Sequence, residues 1–302
     1  MKIKIFLLFF LIPNLAYAAT PPFKNLDHPR LVETTELVSV IRHPSLRIVD
    51  MRTSFDDYLK DHIPNAIYLH FENLRVPQDG IPAQAPDRIS LERLLGDALS
   101  ISNNMWVVLY SEKSNPNATF LAWYLDYLGH HKVGVMNGGW EKWVSEKLPV
   151  TQEYPPLLPK KFFGKTISET LCQKKWVRDR LSSKNVVILD ARPPKQYSGE
   201  EGEEIRRGHI PGARHIFWET TLEGDEIRTW KKKEEELEKL FAESNLTKDK
   251  EIVVYSRTGK GASHLYFTLR HVMGYTNVRL YRGSWVEWSA DKKLPIKMGM
   301  DP

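Results

Sequence analysis

The sequence predicts an α/β protein built from two copies of one domain, and three observations support this fold class. Short motifs from the first half of the chain recur in the second half in the same order, about 140 to 147 residues later. Short β-branched and apolar runs alternate with helical stretches, which is typical of a mainly parallel sheet flanked by helices. A chain of 302 residues is also long enough for two domains, each with its own core.

Four motifs define the repeat. An Asp-x-Arg follows a β-branched run, a His-Ile-Pro turn comes next, a second apolar run ends in serine, and a Gly-x-Trp turn closes the unit. The pairs are Asp50-Met51-Arg52 with Asp190-Ala191-Arg192, His62-Ile63-Pro64 with His209-Ile210-Pro211, Ser111 with Ser256, and Gly138-Gly139-Trp140 with Gly283-Ser284-Trp285. Because the order is kept throughout, we expect a tandem duplication. The Asp and Arg residues are expected to hold strand ends and turns.

The repeat sets the expected domain boundaries. The N-terminal domain is predicted over residues 27–150, a linker over 151–166 and the C-terminal domain over 167–298. The proline-rich stretch from Tyr154 to Pro159 is expected to be extended and marks the linker. The acidic insert Gly199–Glu204 is expected to be a solvated loop. The elements predicted around the motifs are helices at 34–42, 91–99, 168–181 and 233–244, and strands at 66–69 and 213–217.

Residues 1–18 predict an export signal. Lys2 and Lys4 supply the positive start, an apolar run follows from Ile5 to Ile12, and Ala16-Tyr17-Ala18 matches a cleavage site. The apolar run is too short for a transmembrane helix, which needs about 20 residues. We therefore expect a protein that is exported, most simply to a bacterial periplasm, and that has no membrane span after signal cleavage.

Charge and cysteine content exclude several classes of function. The formal net charge of +5 is small and scattered, so a nucleic-acid partner is not predicted. Cys172 is the only cysteine, which excludes an intramolecular disulfide and a cysteine-based metal site. His130 and His131 have no third ligand at metal spacing, so neither a metal nor a cofactor is predicted. Cys172 is expected to be buried in a helix next to the linker.

The stretch from Ile252 to Arg270 predicts an anion-binding loop. An apolar strand, Ile252–Tyr255, is followed by a loop, Ser256–Gly261, and then by a helix. In such a unit the loop N–H groups can converge on one point, which the positive end of the helix also faces. Glycine permits close backbone approach, and cationic side chains add charge at the rim. The residues predicted to bind the anion are Arg257, Thr258, Gly259, Lys260 and Gly261.

Together, the duplicated Asp-x-Arg, the Gly-His-Ile-Pro-Gly-Ala sequence at 208–213, the six-residue loop and the Trp turn resemble the tandem-domain rhodaneses. These are the thiosulfate and 3-mercaptopyruvate sulfurtransferases. The resemblance covers essentially the whole chain after residue 18. It implies two rhodanese-like domains, an active site in the C-terminal copy and an inactive N-terminal copy. It also implies an anion-binding role for Arg206, three residues before His209.

Both loops lack the atom that the family chemistry needs. In active rhodaneses the first loop residue is a cysteine, whose thiolate takes the sulfane sulfur as a persulfide and passes it to cyanide or a thiol. Here that position is Ser256, and Ser111 in the first copy. A hydroxyl ionises far above a thiol, and no neighbouring base is visible to activate it. Gly261 also departs from the Thr or Arg that active relatives usually carry. Ser256 is therefore predicted to be inactive in persulfide chemistry.

Three functions stay open at this point, and whether the protein is an enzyme is left undecided. The first is a degenerate family member that still binds a small oxyanion such as thiosulfate, sulfate or phosphate. The second is a working sulfurtransferase that uses an unrecognised route, with a displaced carrier such as Cys172 or a partner's thiol. The third is an interaction scaffold for a periplasmic protein partner.

Overall fold

The computed structural model describes residues 21–23, 29–231 and 233–302. The predicted export signal and the predicted start of the N-terminal domain at residue 27 lie outside these ranges. Within them, no helix is long and apolar enough to cross a membrane.

Two sheets, each of five parallel strands, form the framework of the two domains. The first sheet has the order β1-β7-β6-β2-β3 and the second the order β8-β14-β13-β9-β10, so the same topology occurs twice. Two short antiparallel pairs, β4 with β5 and β11 with β12, form separate two-stranded sheets. The strands are β1 Arg30–Val32, β2 Leu46–Asp50, β3 Ala66–Tyr68, β4 Val76–Gln78, β5 Ile81–Gln84, β6 Trp106–Tyr110, β7 Val133–Met136, β8 Leu171–Cys172, β9 Val186–Asp190, β10 Arg214–His215, β11 Leu222–Glu223, β12 Thr229–Trp230, β13 Glu251–Tyr255 and β14 Val278–Tyr281.

Helices flank both sheets, so the predicted α/β class with two tandem domains is confirmed. The α-helices are α1 Thr34–Val40, α2 Phe55–Lys60, α3 Arg88–Arg93, α4 Asn117–Tyr127, α5 Gly139–Ser145, α6 Lys174–Arg178, α7 Pro194–Ser198, α8 Glu234–Glu243, α9 Lys260–Phe267 and α10 Ser284–Ala290. The central strands β2, β6 and β13 are almost wholly buried, as expected for parallel strands covered on both faces.

The helix predicted over residues 168–181 is wrong. This segment contains a 3₁₀ turn, Ser168–Thr170, then strand β8 and the short helix α6. Leu171 and Cys172 pair with the edge of the sheet at β14. The backbone N–H and C=O groups of this segment are therefore available to pair with β14 instead of forming helical hydrogen bonds. Cys172 lies in a strand and not in the predicted helix.

The repeated Asp-x-Arg motif forms a buried ion pair at the end of a central strand in each domain. Arg52 Nη2 lies 2.8 Å from Asp50 Oδ2, and Arg192 Nη2 lies 2.5 Å from Asp190 Oδ2. The guanidinium of Arg192 also stacks on Trp285, 4.5 Å from the ring centre. Each pair thus joins a strand end to the Gly-x-Trp turn.

Helices α4 and α9 form the centre of the interface between the two domains. The hydroxyls of Thr119 and Ser263 lie 3.1 Å apart where the helices meet. The carboxylate of Asp126, on α4, then accepts a hydrogen bond from Tyr266 of α9 at 2.6 Å. His271 also contacts this buried carboxylate, at 3.1 Å. The two domains are therefore joined by polar contacts as well as by apolar packing.

Asp126 carries a charge although it is almost fully buried. Burial alone would raise the pKa of Asp126, but hydrogen bonds from His131, His271 and Tyr266 outweigh that cost and hold the pKa well below its usual range. Arg270 adds a further positive charge, 3.5 Å away. The anionic form is therefore the stable one inside this interface.

We expect Asp126→Asn to lower the free energy of unfolding by about 3–5 kcal/mol, because removing one partner of a buried ionic cluster leaves the others uncompensated. Urea unfolding of both proteins measures the difference. Asp179→Asn is the control, since Asp179 forms exposed ion pairs with Lys175 and Arg178, and exposed pairs contribute little to stability. Equal losses in the two variants would contradict the assignment.

The interface also predicts a pH dependence. The hydrogen bond to Asp126 raises the pKa of His131, despite partial burial. A raised folded-state pKa stabilises the fold fully below the unfolded value of about 6.5, and this contribution disappears as pH rises through the folded value. The stability gap between wild type and His131→Gln should thus be largest near about pH 5 and shrink above neutrality. A gap that grows with pH in urea titrations would contradict this.

Candidate functional site

The candidate site is the loop between β13 and α9. The structure begins α9 at Lys260, so the loop proper comprises four residues, 256–259. The Gly-x-Trp turn holds this loop from behind: the Ser256 carbonyl accepts the Trp285 amide at 2.9 Å, and the Arg257 carbonyl accepts the Val286 amide at 3.1 Å. The Gly-x-Trp turn thus fixes the position of the serine loop at the end of β13.

Ser256 lies at the predicted nucleophile position and is 4% exposed. Its hydroxyl oxygen accepts a hydrogen bond from the Gly259 amide at 3.1 Å, which closes the loop on itself. Among the described residues, neither a histidine nor a carboxylate is hydrogen-bonded to this hydroxyl. The arrangement therefore lacks the base that would be needed to activate a serine.

The loop still offers donors to an anion. The amides of Arg257, Thr258, Lys260 and Gly261 have no acceptor among the described residues. Gly259 has a positive φ of +96°, and a Cβ there would lie 2.9 Å from a ring atom of Phe120. The glycine is needed for both the left-handed backbone and the close approach of the N-terminal domain.

The acidic insert is largely exposed, as expected for a solvated loop, but two of its carboxylates also pair with the loop rim. Glu204 and Glu203 both reach the Arg257 guanidinium, with Oε1 of Glu204 2.7 Å from Nε and Oε2 of Glu203 2.6 Å from Nη2. Opposite charge explains the contact, because two carboxylates of the insert pair with the guanidinium of Arg257. An incoming anion must compete with these two carboxylates for Arg257.

Lys260 differs from Arg257 in having no carboxylate partner within salt-bridge distance in the described part of the chain. Its ammonium lies 4.7 Å from the ring centre of Phe71, which belongs to the N-terminal domain. Burial lowers the pKa of Lys260, and Arg75 acts in the same direction. A cation–π contact of this kind contributes about 0.5–2 kcal/mol and leaves the ammonium free to bind an anion.

Arg206 has its hydrogen bonds elsewhere. Its guanidinium donates to the carbonyl oxygens of Asp291 at 2.6 Å and Leu294 at 2.7 Å, and so ties down the segment after α10. The structure does not bring this side chain into hydrogen-bond contact with the described loop residues. Its anion-binding role stays a prediction that would require these bonds to break.

The equivalent loop of the N-terminal domain contains its own anion. The Glu112 carboxylate accepts hydrogen bonds from the Thr53 hydroxyl at 2.6 Å and from the Thr53 amide at 3.2 Å. The Ser111 hydroxyl donates to the Asn115 carbonyl at 2.6 Å. An internal carboxylate therefore lies beside this loop, and the cavity next to it is also lined by Trp218 and His264 of the other domain.

Cys172 does not stand in for the missing loop cysteine in this geometry. Its thiol is 4% exposed, and burial raises the pKa of the Cys172 thiol well above its ordinary value. The thiolate, which is the reactive form, is thus strongly disfavoured.

Sequence reasoning missed the contribution of the N-terminal domain to this site. Phe71, Arg75 and Phe120 all contact the Ser256 loop or the start of α9. They are more than 130 residues away in sequence, and none belongs to a repeated motif. No local pattern could have identified them.

Comparison with known proteins agrees with the duplicated fold. The family model described as "Rhodanese-like domain" matches twice, at residues 33–146 and 173–291. The chain belongs to the rhodanese family.

Among the described residues, no group of three or more His, Cys, Asp or Glu side chains is placed to hold a metal ion.

Relatives cover nearly the whole chain. A putative thiosulfate sulfurtransferase of Synechococcus elongatus is 34% identical over 90% of this chain and 86% of its own length. The sulfur carrier protein TtuD of Thermus thermophilus is 33% identical over 90% of this chain and 98% of its own. The thiosulfate sulfurtransferase of Corynebacterium glutamicum is 31% identical over 92% and 94%.

Solved structures show the same fold. Wild-type EanB superimposes with a TM-score of 0.78 at 23% identity, covering 89% of this chain and 69% of that one. The anaerobic ergothioneine biosynthesis enzyme from Chlorobium limicola, solved with trimethyl histidine, gives a TM-score of 0.77 at 23% identity, over 89% and 70%. At this identity the likeness concerns the fold alone.

The contact between the acidic insert and Arg257 makes a testable prediction. Replacing Glu203 and Glu204 together by glutamine should tighten thiosulfate binding about two- to fivefold, because partly exposed ion pairs are worth up to about 1 kcal/mol. Calorimetric titration measures the change. The double change Glu234→Gln and Glu235→Gln, on the exposed start of α8, alters net charge equally and should have less effect. Equal gains would show that net charge alone matters.

Proposed function

We propose that this protein is an exported rhodanese whose loops no longer carry sulfur and whose Ser256 loop binds a small oxyanion of the thiosulfate or sulfate class. The observation that carries the proposal is the Ser256 hydroxyl, bound to the Gly259 amide at the position where the family places its thiolate. Export, to a periplasm, rests on residues 1–18 of the sequence.

Sulfur transfer needs a group that can attack and then release sulfur. A thiolate attacks the sulfane sulfur of thiosulfate, an S–S bond forms, and sulfite leaves with the electron pair of the broken bond. A neutral hydroxyl, buried and without a base, has no comparable path. The same loop geometry with oxygen at its head can therefore bind the anion without splitting it.

Oxyanion binding is supported by the donors that remain. The free amides at the start of α9 and the Lys260 ammonium face no protein carboxylate within salt-bridge distance in the described residues. Backbone N–H groups at a helix start are ready-made anion donors. Several relatives are named thiosulfate sulfurtransferases, which favours thiosulfate as the first anion to test.

We expect wild-type protein to show no thiosulfate-to-cyanide turnover and Ser256→Cys to acquire it, because the loop amides and cations would stabilise a thiolate there. Thiocyanate formation measures the rate, and mass spectrometry detects an added sulfur of the persulfide. Cys172→Ser in both backgrounds is the control and should change neither result.

Wild-type turnover that disappears in Cys172→Ser would contradict the proposal and favour a sulfurtransferase with a displaced carrier. Failure of the wild type to bind thiosulfate, sulfate or phosphate in calorimetric titrations would contradict anion binding. If no anion binds and a stable protein partner is recovered from periplasmic extract, an interaction scaffold would be favoured.

A further inference from the structure

Two cations from different domains lie on the same aromatic ring beside the Ser256 loop. The Arg75 guanidinium, from the N-terminal domain, lies 4.4 Å from the ring centre of Phe71, and the Lys260 ammonium lies 4.7 Å from it. Arg75 Nη1 also donates to the Thr258 hydroxyl at 3.2 Å. The N-terminal domain therefore places a cation directly on the loop.

Like charges this close to each other disfavour their charged forms. Burial lowers the pKa of Arg75, Tyr124 acts in the opposite direction, and repulsion from Arg257 adds to the lowering. The pKa of Lys260 is also lowered, by burial and then by Arg75, while Glu112 acts more weakly in the opposite direction. Arg75 is thus repelled by Arg257 and itself repels Lys260, and an anion placed beside Arg75 and Lys260 would relieve that repulsion.

The neighbouring acids do not fully neutralise this cluster. Glu72 pairs with Arg75 through Nε and Nη2 of the guanidinium, which leaves Nη1 directed at the neutral Thr258 hydroxyl. Glu203 and Glu204 pair with Arg257. Lys260 has no such partner among the described residues. Two donors can therefore bind an anion without breaking an ion pair. Arg75 Nη1 would give up only its hydrogen bond to the Thr258 hydroxyl, and the Lys260 ammonium has no carboxylate partner to give up in the described part of the chain.

We propose that Arg75 is an anion-binding residue of the Ser256 loop, so that the site spans both domains and takes a divalent tetrahedral oxyanion between Arg75, Thr258 and Lys260. This inference rests on the proposed function. The loop amides approach from the C-terminal domain and Arg75 from the N-terminal domain, so a tetrahedral ligand can present an oxygen to each. Divalent charge matches the two cations that it would pair with.

The experiment compares thiosulfate and sulfate binding at low ionic strength, by calorimetric titration, in wild type and in single variants. Arg75→Gln should weaken binding about tenfold, since a charge-assisted hydrogen bond is lost, and Arg75→Lys should retain part of the affinity. Lys260→Gln should also weaken binding. Arg88→Gln is the matched control: Arg88, like Arg75, pairs with a glutamate a few residues away in sequence, Glu92, and its removal should change affinity less than twofold. Thermal unfolding confirms that each variant is folded.

Three outcomes would overturn the proposal, and they are distinguishable from one another. If Lys260→Gln weakens binding and Arg75→Gln does not, the anion site is confined to the C-terminal domain and the proposed function stands. If nitrate, a planar monoanion, binds as tightly as sulfate, the divalent tetrahedral class is wrong. If the wild type binds no anion, the proposed function fails and this inference fails with it.

Discussion

The packing of α4 against α9 is the constraint on which the candidate site depends. Parallel strands bring the Ser256 loop to one edge of a sheet, and this helix pair packs the N-terminal domain against the helix that follows the loop. The hydroxyl contact between Thr119 and Ser263 and the buried carboxylate of Asp126 fix the approach of the two helices. Phe71 and Phe120 then lie against α9 and Gly259. Loosening this interface would open the site without changing any loop residue.

A single atom separates the geometry of this loop from the chemistry of its family. The turn, the positive-φ glycine and the free amides are all features that would stabilise a negative charge at the loop head. With a thiol there, that field would be used to ionise the nucleophile. With the Ser256 hydroxyl, which accepts a hydrogen bond from the Gly259 amide, the proposed function assigns the same field to an external anion. Loss of the nucleophile and retention of the binding loop are therefore compatible.

Sequence patterns predicted the fold better than they predicted the site. The Asp-x-Arg pairs, the Trp turns and the strand order recur because the two domains pack in the same way. These contacts join residues within one domain, so the same short motifs appear in both halves of the sequence. The segment around Cys172 shows the limit, since its strand forms only by pairing with β14. Arg75 and the pairing of Glu203 and Glu204 with Arg257 depend on contacts between distant segments, which no periodicity encodes.

The two copies of the loop differ in the sign of the charged residue that follows the serine. In the N-terminal copy, Glu112 follows the serine, and Thr53 donates hydrogen bonds to its carboxylate. A fixed negative charge of the protein itself therefore lies beside this loop. In the C-terminal copy, Arg257 follows the serine, and its carboxylates come from a separate insert. A charge on the loop itself cannot leave without distorting the loop, whereas a charge on the insert can be displaced at the cost of partly exposed ion pairs. On the proposed function, the sign of the residue after the serine would therefore decide which loop can exchange an anion with solvent.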